Sequence, residues 1–166
     1  PYFIGHTVNI YFSLSGIGSV MSDCIHQRLL KWSRGSSLRI LSETQSIALE
    51  IIFRLLDVKV EELQAWQDNY RQFMQILIPI KLDFPGSPRR RALRARCWLD
   101  AQLTALIERS RQAPEGPSLV SAMSHARDEG GQLLSMQELI DNFRLLILAG
   151  HETTASVMAW MVTRLA

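Results

Sequence analysis

Cysteine is almost missing from this chain: Cys24 and Cys97 are its only two in 166 residues, and they have no metal-ligand spacing. That excludes a disulfide framework and a cysteine-built zinc module, and a reducing compartment is the default expectation. An excess of charge of either sign is lacking as well, with 18 Lys and Arg against 16 Asp and Glu. The formal net charge of +2 is too small to imply a nucleic-acid partner by itself. Residues 1–22, "PYFIGHTVNIYFSLSGIGSVMS", hold no charged side chain at all. They have no basic leader, and Gly5, His6, Thr7, Asn9, Ser13, Ser15 and Gly16 interrupt the apolar positions. No run therefore approaches the roughly 20 residues that a bilayer span needs, and the first 21 residues are expected to be buried or truncated context. No internal repeat is visible.

What is there is ordinary for a globular domain: 47% hydrophobic and 20% charged residues, in a chain long enough for one core. The chain starts with Pro1 and reaches Ala166 inside a helical pattern that has neither Gly nor Pro as a stop signal, so a piece of something longer is expected. Helices separated by short loops account for most of it. Ser22 or Asp23 is a candidate cap for a helix reaching about Trp32, where "SRGSS" breaks it, and "LRIL" at 38–41 is a candidate short strand. From Ser42, Ile47, Leu49, Ile51, Ile52, Leu55 and Leu56 make an amphipathic helix. Another runs from about Val60 to Leu77, and Pro79, Pro85, Gly86 and Pro88 then impose an extended loop. Ser87 as N-cap with Pro88 at the first helical position predicts a helix to about Ser110. A short helix from about Ser118 to Arg127 precedes the turn "DEGGQ".

The last helix is the informative one. Ser135 and Glu138 have capping-box spacing, which predicts a helix from Met136 onward, on the order of 45 Å at 1.5 Å per residue. From Phe143 to Ala149 only Arg144 is polar, which implies burial at the centre of a domain. Yet Gly150, His151, Glu152, Thr153 and Thr154 interrupt it with a weak helix former, an acid and two β-branched alcohols. Taken singly, these have plain explanations: Gly150 permits a close helix crossing, Thr153 bonds back to its own helix, and Glu152 is a satisfied core acid. Taken together, they describe a notch. Leu145, Ala149, Glu152 and Thr153 fall on one face, Thr153 is placed to compete for the Ala149 carbonyl, and Gly150 lets a flat ligand approach the backbone. A zinc protease is excluded, because "HETTA" has Ala155 where the second histidine must stand.

"AGHETT", Ala149 to Thr154, resembles the oxygen-activation motif of the cytochrome P450 family, in the long central helix that crosses the haem. "LRILSETQSIALEIIFRLL" resembles the strand and helix found upstream in that family, and "DFPGSPRRRALRARCWLDAQLTALIERSR" resembles its substrate-covering loop and helix. The resemblance covers residues 22–166. It implies a mainly α fold: the helical part of a cytochrome P450 domain, incomplete, with at most one short strand. It further implies a fragment of a haem-dependent monooxygenase that hydroxylates an apolar small molecule with dioxygen and two electrons. Ala149, Gly150 and Thr153 would lie against haem b, Thr153 would hold dioxygen or a water beside it, and Glu152 would relay protons. Leu145, Leu148, Phe73 and Leu77 would touch substrate. A ferredoxin or a flavoprotein reductase would supply electrons, in the cytoplasm or peripherally on a membrane surface.

Parts of the family pattern are missing from the chain. Neither "SDCIH" nor "RARCW" fits the loop that carries the thiolate ligand, so no metal ligand is assigned here and the axial cysteine is absent. Glu108 and Arg111 have Glu-x-x-Arg spacing but precede the central helix, and are expected to be an exposed i,i+3 pair. Arg89, Arg90, Arg91, Arg94 and Arg96 are expected to form a solvated face, or to contact a membrane surface or an acidic partner; nucleic acid is not expected. His6, His26, His125 and His151 share no ligand spacing and are expected to be structural or exposed, and the four tryptophans fit packing. The competing reading is a non-catalytic helical interaction module or an inactive gene relic.

Overall fold

A computed structural model describes residues 14–32, 37–77, 84, 86–116, 118–128 and 130–165. Among them, six α-helices follow one another: α1 (Leu14–Leu29), α2 (Ile40–Leu55), α3 (Leu63–Met74), α4 (Pro88–Gln112), α5 (Leu119–Ser124) and α6 (Met136–Leu165). Single 3-10 turns, Val60–Glu62 and Gln75–Leu77, flank α3. The expectations for Pro79, Pro85, most of the loop around them and residues 1–13 fall outside the described residues.

The local signals at the helix starts act as the sequence predicts. Ser87 Oγ accepts from the Arg90 N–H at 3.3 Å with Pro88 at the first position, so α4 begins there. At the start of α6 the Glu138 carboxylate accepts from the Ser135 N–H at 2.8 Å, and Ser135 Oγ accepts from the Glu138 N–H at 3.3 Å. This reciprocal pair satisfies two otherwise orphaned donors. Within "DEGGQ", Asp128 Oδ1 accepts from the Gln132 N–H at 2.8 Å, and Gly131 takes a φ of +75° that suits glycine, as the expected turn requires.

Two elements differ from expectation. "LRIL" is not a strand: Leu38 and Arg39 precede α2 without strand pairing, and Ile40 and Leu41 are its first residues. The helical pattern of α2 simply extends upstream, with the Glu43 N–H donating to the Arg39 carbonyl at 3.0 Å. Likewise α1 begins at Leu14 rather than at a cap on Ser22 or Asp23, so one helix crosses the expected boundary at residue 21.

The core joins α2 through α6. Leu49, Phe53 and Leu56 meet Trp66 and Tyr70 of α3, Leu99, Leu103 and Ile107 of α4, and Leu139, Phe143 and Ile147 of α6. Trp66 sits between Phe53 at 5.3 Å and Trp98 at 5.7 Å, measured between ring centroids. A smaller cluster of Cys24, Ile47 and Ile51 fastens α1 to α2. Arg111, expected to pair with Glu108, instead donates to two backbone carbonyls, those of Ser124 at 3.1 Å and of Leu134. The guanidinium fork thereby ties α4 to the end of α5 and to the segment entering α6.

Candidate functional site

The long helix α6 packs against α2, and its faces are sharply unequal. Leu139, Phe143, Ile147, His151 and Ala155, repeating every four residues, are buried. Leu145, Leu146, Ala149, Thr153, Val157 and Trp160 are exposed, so the expected all-round burial is met on one side only. Arg144, the polar interruption, is an ion-pair hub with Asp141 at 2.8 Å and Asp100 of α4 at 3.1 Å.

Gly150 does not face the open side. A β-carbon placed on it would stand 3.1 Å from Cδ1 of Ile52, so its missing side chain lets α2 approach. The close-crossing explanation accounts for this glycine, and the open face belongs to Leu145, Ala149 and Thr153. Thr153 Oγ1 donates to the Ala149 carbonyl, as its spacing predicts, although the helix continues unbroken through it. A hydroxyl has one donor and two lone pairs, so Thr153 presents an acceptor to the open face.

Glu152 stands at the edge of that face with its side chain 44% exposed, and its Oε1 lies 3.3 Å from Nδ1 of His151. His151 is buried, and its ring meets Tyr70 of α3 edge-on at 5.4 Å. Burial pushes the His151 imidazole below its ordinary value; Glu152 opposes that shift and Arg71 reinforces it. The Tyr70 phenol is pushed strongly upward, first by burial and then by the Glu152 charge. Arg71 is held beside them by Ser46 Oγ at 3.0 Å and Gln67 Oε1 at 3.4 Å. Sequence reasoning missed Tyr70 and Arg71; the recurrence of Leu63, Trp66 and Tyr70 on one side of α3 was the available signal for the first.

The expected substrate contacts are spread out. Leu145 is exposed and Leu148 is half-buried on α6, while Phe73 packs on the core with its ring 6.3 Å from Tyr70. Leu77, at the end of the 3-10 turn after α3, is exposed. Cys24 is buried between α1 and α2, where burial raises its thiol pKa, and Cys97 is exposed on α4. The arginines at 89, 90, 91, 94 and 96 are all exposed on α4.

A long helix packed closely on α2, with Ala149 and Thr153 on its open face and Glu152 at the edge, is the arrangement that the comparisons with known proteins bear on. The family model described as Cytochrome P450 matches residues 37–166, and the chain belongs to that family. It is 38% identical over 154 residues to Cytochrome P450 BJ-4 of Bradyrhizobium diazoefficiens, a match covering 93% of this chain and 34% of that protein. It is 40% identical over 152 residues to the BJ-4 homolog of Sinorhizobium fredii, covering 92% of this chain and 34% of that one. The structure of retinoic acid bound cyanobacterial CYP120A1 shares the fold: TM-score 0.71 at 24% identity, over 90% of this chain and 36% of that one. The chain spans about a third of the length of the curated relatives it matches.

Proposed function

We propose that this chain is the lid and oxygen-activating portion of a haem-dependent monooxygenase that hydroxylates an apolar small molecule using dioxygen and two electrons. The observation that carries the reading is the open face of α6, where Leu145, Ala149 and Thr153 recur at four-residue spacing beside Glu152. Such a face fits a flat apolar ring: Ala149 adds little bulk, and Gly150 behind it keeps the helix seated on α2. Ala149 and Thr153 would hold the ring, with Gly150 setting the depth. Haem b, when bound, supplies the activation of dioxygen.

The remaining work belongs to this chain's side chains. Glu152, half in solvent, exchanges protons with water and carries them to the Thr153 side of the helix. Thr153, its own proton committed to the Ala149 carbonyl, accepts a hydrogen bond from a donor on the open face and so fixes where a proton is delivered. Leu145 and Leu148, with Phe73 and Leu77 from the α3 side, exclude water and hold an apolar substrate. The iron's thiolate comes from outside these residues in this reading, since Cys24 is buried behind α2 and Cys97 faces solvent. A ferredoxin or flavoprotein reductase supplies electrons, and the enzyme works in the cytoplasm or peripherally on a membrane surface.

The test is Thr153→Ala in the full-length, haem-loaded protein. Haem and substrate binding should persist, electrons should still be consumed, and peroxide should rise at the expense of product. Glu152→Gln should slow the whole cycle, because the amide keeps the shape but carries no proton. If both variants lose folding stability alone, with coupling unchanged in the folded protein, the notch is structural and the reading fails.

A further inference from the structure

Resting on the assignment of Glu152 as the proton-relaying acid, we propose that His151 is a positioning residue for that carboxylate, attracting it from inside the core with an otherwise unmet Nδ1–H. Adjacent residues on a helix point about 100° apart and do not ordinarily face each other. Here, nevertheless, Glu152 Oε1 comes within 3.3 Å of His151 Nδ1, so one carboxylate oxygen lies near the buried ring while the side chain stays 44% exposed. The ring cannot swing out to follow it. His151 is 4% exposed and is braced edge-on by Tyr70 at an interplanar angle of 86°.

The ring's own hydrogen-bond requirement points the same way. Both His151 nitrogens are buried and neither makes a hydrogen bond, the Glu152 carboxylate 3.3 Å from Nδ1 being an acceptor within reach, and an unmet buried N–H costs stability. Burial lowers the imidazole pKa against the opposing pull of the Glu152 charge, with Arg71 adding to the lowering, and the neutral ring so favoured has one N–H to place. Placing it on Nδ1 sets it beside a carboxylate, a strong acceptor, whereas Nε2 has no hydrogen-bond partner. A histidine serving only to fill space would be replaceable by any ring of its size. One that holds Glu152 would be replaceable only by a side chain that keeps the N–H.

The experiment uses the full-length, haem-loaded enzyme in its diamagnetic reduced carbonyl form. Nitrogen-15 shifts of the His151 ring should report the Nδ1–H tautomer, and Glu152→Ala should move the tautomer ratio toward Nε2–H by about threefold or more. His151→Phe keeps a ring against Tyr70 without an N–H, whereas His151→Asn puts an amide N–H near the Nδ1 position. The peroxide-to-product ratio should rise about fivefold in His151→Phe and return to within about twofold of the wild type in His151→Asn. An Nε2–H tautomer indifferent to Glu152→Ala overturns the inference, as does a His151→Phe enzyme that couples like the wild type. Unchanged coupling in Glu152→Gln overturns the relay assignment instead, while the ring tautomer still decides the His151–Glu152 interaction by itself.

Discussion

Gly150 of α6 and Ile52 of α2 meet so closely that a β-carbon on the glycine would lie 3.1 Å from the isoleucine Cδ1. Two opposed effects follow for Gly150→Ala. Alanine gains about 1 kcal/mol in helix propensity, and a bent Ile52 tip returns part of that. The single variant should fall within about 1 kcal/mol of the wild type, whereas Gly150→Val should lose about 1–3 kcal/mol by overpacking. Adding Gly150→Ala to Ile52→Val should stabilise relative to Ile52→Val alone, because the shortened side chain removes the clash. Urea midpoints at constant slope decide this, and an additive pair of changes would deny the contact.

His151 makes stability depend on pH. Its folded-state pKa lies below the ordinary 6.5, so the unfolded chain binds more protons between the two values. Its contribution should be complete above about pH 6.5 and be lost as pH falls through that value toward the folded pKa. His151→Asn should flatten this part of a plot of unfolding free energy against pH. An unchanged slope between pH 5 and 7, a window set by the ordinary histidine range, would assign the dependence to other groups.

Arg111 joins three segments through the carbonyls of Ser124 and Leu134. Arg111→Met should cost about 1–3 kcal/mol, since two inward-facing carbonyls lose a charged donor. Hydrogen exchange should accelerate first between residues 120 and 135 rather than in α2. A uniform loss across the chain would mean that α5 and the entry to α6 open only with the whole domain.

Ser87 is buried, and its hydroxyl caps α4. Ser87→Ala should cost about 1 kcal/mol, while Ser87→Asp should recover most of it at neutral pH because a carboxylate at a helix start is favoured by the dipole. Failure of aspartate to rescue would show that burial of this cap outweighs its charge.

The open face of α6 exposes Leu145, Leu146, Val157, Trp160, Met161 and Leu165 along one helix. A preparation of these 166 residues should therefore self-associate, and a Leu145→Lys, Val157→Lys double variant should shift sedimentation toward monomer. Monodisperse monomer from the unaltered chain would contradict the exposed stripe.

Much of the architecture is written locally. Ser87 with Pro88 and Ser135 with Glu138 mark their helix starts because capping depends on donors within four residues, and the family motif from Ala149 to Thr154 is contiguous. "LRIL" shows the limit of such reading: four aliphatic-rich residues suit either period, and the amphipathic continuation into α2 decides for helix. His151 and Arg111 show it again, since what each side chain touches comes from helices distant in sequence.

By itself, then, the sequence determined that a long helix runs from Met136 and carries Gly150, Glu152 and Thr153 in the order the cytochrome P450 family uses, because helix caps and the helical repeat are short-range properties. Which way each of those residues points was decided only by the tertiary structure. The rotation of α6 about its own axis is set by Phe143, Ile147 and Ala155 packing inward, and that single rotation turns Gly150 to Ile52, His151 to Tyr70, and Ala149 with Thr153 to the open side.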